Sequence, residues 1–257
     1  MSDFLIGIPI ALLGLIVGSF INVVAYRVPL QRSVVSPGSA CPRCDHPLEW
    51  RDNVPVVSWV LLAGKCRHCG ARISPRYPIV EVATAALFFL TFQVFGLIAV
   101  LPAQLWFVGV TIALTLTDLD HKKIPNRILF PSTAIGVVLL GIGALIDGQL
   151  GDYGRAILGG LIYFAALFLL ALVARGGFGF GDVKLAAFLG LYATYLGWGQ
   201  LVVAMVLPFV VGGVASILLL VTRIKGRKDA IPFGPYMVAG AYIAVFAGQA
   251  VVDWYLR

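Results

Sequence analysis

The chain has 257 residues, of which 60% are hydrophobic and only 12% charged, with a mean hydropathy of +0.96. A soluble domain carries about 25% charged residues, so this composition excludes an ordinary soluble globular protein. The formal net charge of +7 is then a matter of membrane topology and anionic lipid, and it does not point to nucleic acid.

Apolar runs recur along the chain, each near the ~20 residues that cross a bilayer. They predict about eight spans, at 4–26, 79–97, 100–119, 127–147, 156–174, 183–198, 200–222 and 234–253. The sixth is the shortest, and only Gly197-Trp198-Gly199 separates it from the seventh. The expected fold class is therefore all-α, a polytopic integral membrane protein with a small metal-stapled loop. Three sections follow: a first transmembrane helix over 1–26, a loop over 27–78 and a transmembrane core over 79–257. The first span is expected to be a retained helix. Met1-Ser2-Asp3 carries no Lys or Arg, and Arg27 and Arg32 follow the apolar run, the reverse of a cleavable signal.

These spans place seventeen of the nineteen Lys and Arg residues on one side, leaving Arg155 and Arg257 on the other. Positive-inside bias makes the crowded side cytoplasmic and puts the N-terminus outside.

All four cysteines fall in the first loop, as Cys41-Pro42-Arg43-Cys44 and Cys66-Arg67-His68-Cys69. Two C-x-x-C knuckles at this separation match a four-thiolate structural zinc site, and Gly70 suits the tight turn that ends a knuckle. Two disulfides are the competing reading, but the loop's basic residues put it in the reducing cytosol. His46 and His68 are alternative ligands. The expected role is a staple for a loop too small to build a core.

Four of the twelve acids sit at or just inside predicted helix ends on the basic side: Glu81, Asp118, Asp120 and Asp182. Ionisable groups in membrane segments cost a few kcal/mol and usually mark function. Asp118 and Asp120 are two apart, roughly 200° around a helix, so they face different ways. Asp118 continues a stripe with Thr111 and Thr115 toward a polar interior, whereas Asp120 leads to the basic His121-Lys122-Lys123. Both could simply end the helix before Pro125. Asp182 follows Gly176-Gly177-Phe178-Gly179-Phe180-Gly181, four glycines that suit close approach of an extended peptide. A plain helix N-cap is the alternative for Asp182. Lys184 either helps hold Asp182 ionised or lies in solvent.

Brought together, Asp118 and Asp182 would share a proton, one activating water while the other protonates a peptide. No serine elbow, H-E-x-x-H or Cys-His pair competes with them. A proton-coupled transporter using buried carboxylates is the rival from another class.

These residues resemble the type IV prepilin peptidases of the bacterial inner membrane. The likeness runs through Gly18-Ser-Phe-Ile-Asn-Val-Val-Ala-Tyr-Arg27, the paired cysteine knuckles and Arg76-Tyr-Pro-Ile-Val-Glu81. It continues through Asp118-Leu-Asp-His-Lys-Lys-Ile-Pro-Asn126, Gly179-Phe-Gly-Asp-Val-Lys184 and Ile231-Pro-Phe-Gly-Pro-Tyr236. The resemblance implies that Asp118 and Asp182 are the peptidase aspartates. It implies prepilin and pseudopilin substrates, cut on the cytoplasmic side after a basic leader. It also implies methylation of the new N-terminus with S-adenosylmethionine. No Rossmann glycine motif marks a pocket for that cofactor. Asn22 and Arg27 are near methylation by resemblance only; Asn22 is equally a packing amide and Arg27 a headgroup anchor. Glu81 either meets the leader's charge or the new amine, or is a solvated helix-end charge.

Overall fold

In the computed structural model, residues 2–174, 179–223, 226 and 231–255 are described, without the side chains of Ser2 and Asp3. Arg175, Gly176, Gly177 and Phe178 lie outside the described residues, as do Lys225, Arg227, Lys228, Asp229 and Arg257. The described residues form helices and loops: α1 (Ser2–Arg27), the short α2 (Val57–Leu61), α3 (Arg76–Phe95), α4 (Leu101–His121), α5 (Asn126–Ile146), α6 (Leu150–Val173), α7 (Phe180–Leu196), α8 (Trp198–Val221) and α9 (Gly234–Tyr255). Seven of them are long and apolar enough to cross a membrane. The eighth expected span is α7, whose 17 residues rise only ~25 Å. Every residue of α7 from Phe188 to Tyr195 is buried, so it packs as a central helix with little outer face.

The chain divides into two compact units, Met1–Leu97 and Ile98–Arg257. In the first, α1 lies against α3 at positions where only glycine fits. A Cβ at Gly14 would stand 2.6 Å from Ala85 Cα, and one at Gly18 would stand 2.7 Å from Glu81 Cα. Small residues four apart let helix backbones approach closely where no water drives association. Asn22 adds a polar tie, its Nδ2 donating to the carbonyls of Gly18 at 3.2 Å and Tyr77 at 3.3 Å.

In the second unit, α6 packs on α7 through Gly159, Gly160 and Gly190, and α8 packs on α9 through Pro208 against Gly240. At the centre, the Phe107 ring of α4 meets Tyr192 of α7 at 4.6 Å and Phe188 at 5.9 Å. Tyr242 of α9 closes the cluster edge-on at 5.8 Å from Phe107, and its hydroxyl pairs with Thr111 Oγ1 at 2.7 Å. This contact fixes register. Phe107 lies eleven residues before Asp118, and Tyr192 ten residues beyond Asp182. With ~1.5 Å of rise per residue along antiparallel helices, the two carboxylates reach nearly the same level.

α6 begins six residues before the span expected at 156. The reason is Arg155, whose Nε and Nη2 donate to the carbonyls of Thr194 at 2.9 Å and Tyr195 at 2.7 Å. Those carbonyls end α7, where the last turn lacks i+4 amides, and Thr194 O also accepts Gly197 N–H at 3.1 Å. Arg155 also pairs with Asp152 at 2.9 Å, so a polar turn that reads as a loop is helical. Arg155→Ala should cost about 1.5–3 kcal/mol of stability. A lower thermal unfolding midpoint in detergent checks it; an unchanged midpoint would show that the cap contributes nothing.

Candidate active site and metal centre

Asp118 lies in the last turn of α4 and is 5% exposed, whereas Asp120 is exposed. The separation expected from helical spacing is thus present in the structure. Thr111 is fully buried on the same face, and Thr115 is half-buried. Asp118 Oδ2 accepts the backbone N–H of Gly234 at 3.0 Å. That N–H is available because it opens α9, where the first amides have no helical acceptor. A Cβ at Gly234 would stand 2.6 Å from the same carboxylate oxygen, so the contact requires glycine.

Asp182 is half-buried in the first turn of α7. The cap of that helix is Gly179, so Asp182 is not the plain N-cap that its position suggested. Asp182 lies close enough to Asp118 to feel the charge of that carboxyl. Gly179 lies beside the Asp182 carboxylate, and Gly181 packs on Ile124 in the turn before α5. Lys184 turns away from the pair. Its Nζ donates to Asn126 Oδ1 at 2.7 Å and sits over the rings of Phe180 and Phe130, at 5.1 and 5.6 Å. It therefore ties α7 to α5 and neither pairs with Asp182 nor stays free in solvent.

Gly234 and Asn126 were missed as site residues, although both belong to quoted motifs. The one sequence signal for Gly234 is a glycine followed by proline at a helix start.

In the first unit the two knuckles repeat one geometry. Cys41 N–H donates to His46 O and Asp45 N–H to Cys41 O; Cys66 N–H donates to Ala71 O and Gly70 N–H to Cys66 O. Gly70 takes the left-handed turn with φ of +67°, matched by Asp45 at +52°. The four Sγ atoms lie within 4.8 Å of one another, with Cys41 and Cys69 at 3.8 Å. A tetrahedral thiolate centre with ~2.3 Å metal–sulfur bonds needs sulfurs ~3.8 Å apart. All four are free, unlike two bonded pairs. The backbone N–H groups of Arg43 and Cys44 hold the Cys41 thiol down to about 6. Cys44, against the lowering hydrogen bond from the His46 backbone, is pushed up to about 12 by burial and the neighbouring cysteine sulfurs. The His46 and His68 rings lie tilted at 36° with centroids 3.4 Å apart, outside the cluster of ligand atoms. Arg67 Nε pairs with Asp52 at 2.8 Å and keeps that carboxyl below the usual range, tying the second knuckle to the turn between them.

The remaining candidates serve the same unit. Glu81 is buried, not solvated at a helix end, and its Oε2 accepts Val56 N–H at 2.7 Å. Val56 has φ of +61°, a conformation costing a β-branched residue about 1–3 kcal/mol. Arg27 is no simple headgroup anchor. Its Nη1 donates to the carbonyls of Ser33 at 3.2 Å and Pro37 at 2.8 Å, and its Nη2 to Gly38 at 3.2 Å.

The thiolate geometry predicts one tightly held divalent ion per chain, lost in Cys41→Ser or Cys69→Ser. Elemental analysis checks it, and a metal-free protein with two disulfides would contradict it.

Residues 12–95 match the bacterial peptidase A24 N-terminal domain, and residues 105–217 match the type IV leader peptidase family. The prepilin leader peptidase/N-methyltransferase of Pseudomonas aeruginosa is 34% identical, covering 100% of this chain and 98% of its own. Its counterpart in Aeromonas salmonicida is 34% identical over 95% of this chain and 92% of its own. That of Bacillus subtilis is 32% identical, covering 95% of each. No solved structure matches. These matches do not favour the transporter reading, and the chain belongs to the type IV leader peptidase family.

Proposed function

We propose that the chain is a membrane aspartic endopeptidase that removes the basic leader of prepilins or pseudopilins and then methylates the new N-terminus. The observation that carries this reading is the approach of Asp118 and Asp182, at one level, in a member of the leader peptidase family.

One proton is held between the two carboxyls, because two close carboxylates do not both ionise cheaply. Gly234 N–H occupies Asp118 Oδ2, leaving Oδ1 as the base. Asp118 takes a proton from water as the water oxygen bonds to the scissile carbonyl carbon. Asp182 gives its proton to the carbonyl oxygen. When the tetrahedral species collapses, the C–N bond breaks, the proton on Asp118 passes to the leaving amine, and one hydroxyl proton of the gem-diol returns to Asp182, which leaves a carboxylic acid and restores the shared proton. A prepilin presents a basic leader before an apolar helix, so its cleavage point sits at the membrane surface. Seventeen basic residues on that side support a cytoplasmic surface, by positive-inside bias, of a bacterial inner membrane.

The four thiolates fit zinc as a structural ion. Cys41, Cys44, Cys66 and Cys69 would hold it and staple the loop, with no part in cleavage. S-adenosylmethionine, when bound, supplies an electrophilic methyl group for an unprotonated amine.

Asp118→Asn and Asp182→Asn should each lower leader cleavage by ~10²–10⁴-fold. Cleavage of a purified prepilin checks this, and a normal rate in either variant would remove the pair. Gly234→Ala should lower kcat by ~10²-fold through displacement of Asp118, with KM little changed. A kcat equal to that of the wild type would show that Gly234 does not position the aspartate.

A further inference from the structure

The loop between α1 and α3 contains α2, whose two faces meet different surroundings. Ser58 is buried, and its Oγ donates to Arg51 O at 2.7 Å and accepts Val54 N–H at 3.1 Å. Trp59 turns inward, its Nε1 donating to Ile73 O at 3.2 Å. Val57, Val60 and Leu61 share the opposite face at i, i+3 and i+4 and are bare, with Leu61 79% exposed. Trp50, just before the turn that leads into α2, is 83% exposed. Four apolar side chains left open on one short segment call for a partner.

The level of this segment says which partner. Val56 N–H donates to Glu81, and Glu81 Cα lies against Gly18 of α1. Glu81 is five residues inside α3 and Gly18 nine before the end of α1, ~7 and ~14 Å of helical rise. A Glu side chain leans back toward the start of its helix by about one 5.4 Å turn at most, so Val56 sits inside both helix ends. Residues 53–55 line one cleft with Ile16, Ser19 and Phe20, which places the turn beside the apolar part of α1.

Non-helical backbone at that depth has to keep its amides from lipid. Here Val54 N–H goes to Ser58, Val56 N–H to Glu81, Val57 N–H to Pro55 O, Ser58 N–H to Val54 O and Val60 N–H to Val56 O. Pro55 has no amide to satisfy. Around this apolar tip the loop carries eight Lys and Arg against three acids over 27–76, a balance that suits anionic headgroups.

We propose that residues 54–61 form a re-entrant wedge seated in the leaflet on the basic side of the membrane. Val57, Val60 and Leu61 lie among the acyl chains, and Trp50 lies at the headgroups. Trp59 links the wedge to Ile73, beyond the second cysteine knuckle, and so holds that knuckle at the bilayer surface. The inference rests on α1 and α3 as membrane spans and is independent of the chemistry at Asp118.

The test uses the full zinc-loaded chain in nanodiscs of phosphatidylethanolamine and phosphatidylglycerol, with a diazirine amino acid at Val60 or Leu61 in turn. Both positions are exposed, so the probe displaces no packed group, and zinc content and unfolding temperature should match the wild type. Irradiation should give chiefly phospholipid adducts at each position. A nitroxide amino acid at the same positions should be reached by oxygen more readily than by a water-soluble nickel chelate. The difference should be ~3-fold or more, as for a face ~5–10 Å into the headgroup–acyl boundary. Adducts chiefly to residues 98–257, to a second copy of the chain or to water, at either position, overturn the wedge. So does a nitroxide reached more readily by nickel. Leader cleavage is not read in either measurement, so the peptidase reading stands whichever way the wedge is decided.

Discussion

A carboxylate buried at the end of a membrane helix must find a donor, and Asp118 finds one in the backbone of Gly234. Much of the second unit follows from that hydrogen bond. It requires α9 to start where it does, because only the first amides of a helix are free to donate outward. It also requires glycine at 234, because a side chain there would occupy the place of the carboxylate oxygen. The rings of Phe107, Tyr192 and Tyr242, half a membrane away, fix how α4, α7 and α9 slide along one another. That register brings Asp182 to the level of Asp118.

The first unit solves a different problem with different means. Its loop is too small to bury an apolar core, and its described turns are held instead by polar clamps. Four sulfurs gather around a metal-sized space, Arg27 grips three carbonyls, and Glu81 holds a strained valine. The Arg67–Asp52 pair is partly solvated and contributes little by itself. A metal held by the four sulfurs would be the larger constraint, since metal-binding free energy is folding free energy in so small a segment.

The sequence made some of this legible and hid the rest for physical reasons. The helices were readable because each must be apolar over a fixed length, and α7 was the doubtful one because its surroundings are protein. Helical period alone separated buried Asp118 from exposed Asp120. Cysteine spacing alone predicted the cluster of sulfurs. The early start of α6 was hidden because the partners of Arg155 are carbonyls about forty residues away. Glu81 was ambiguous because its partner is an amide in a turn that no local pattern announces. Gly234 escaped because a backbone donor has no side-chain signature, and Lys184 because its acceptor, Asn126, lies on another helix.

The central claim is that Asp118 and Asp182 act together on one peptide bond. An experimental structure of the zinc-loaded chain with an uncleavable leader peptide tests it most directly. The account predicts the scissile carbonyl carbon between the two carboxyls, each within hydrogen-bond reach of the bond or its attacking water. A scissile bond held elsewhere, with the two carboxyls on separate faces, would contradict it.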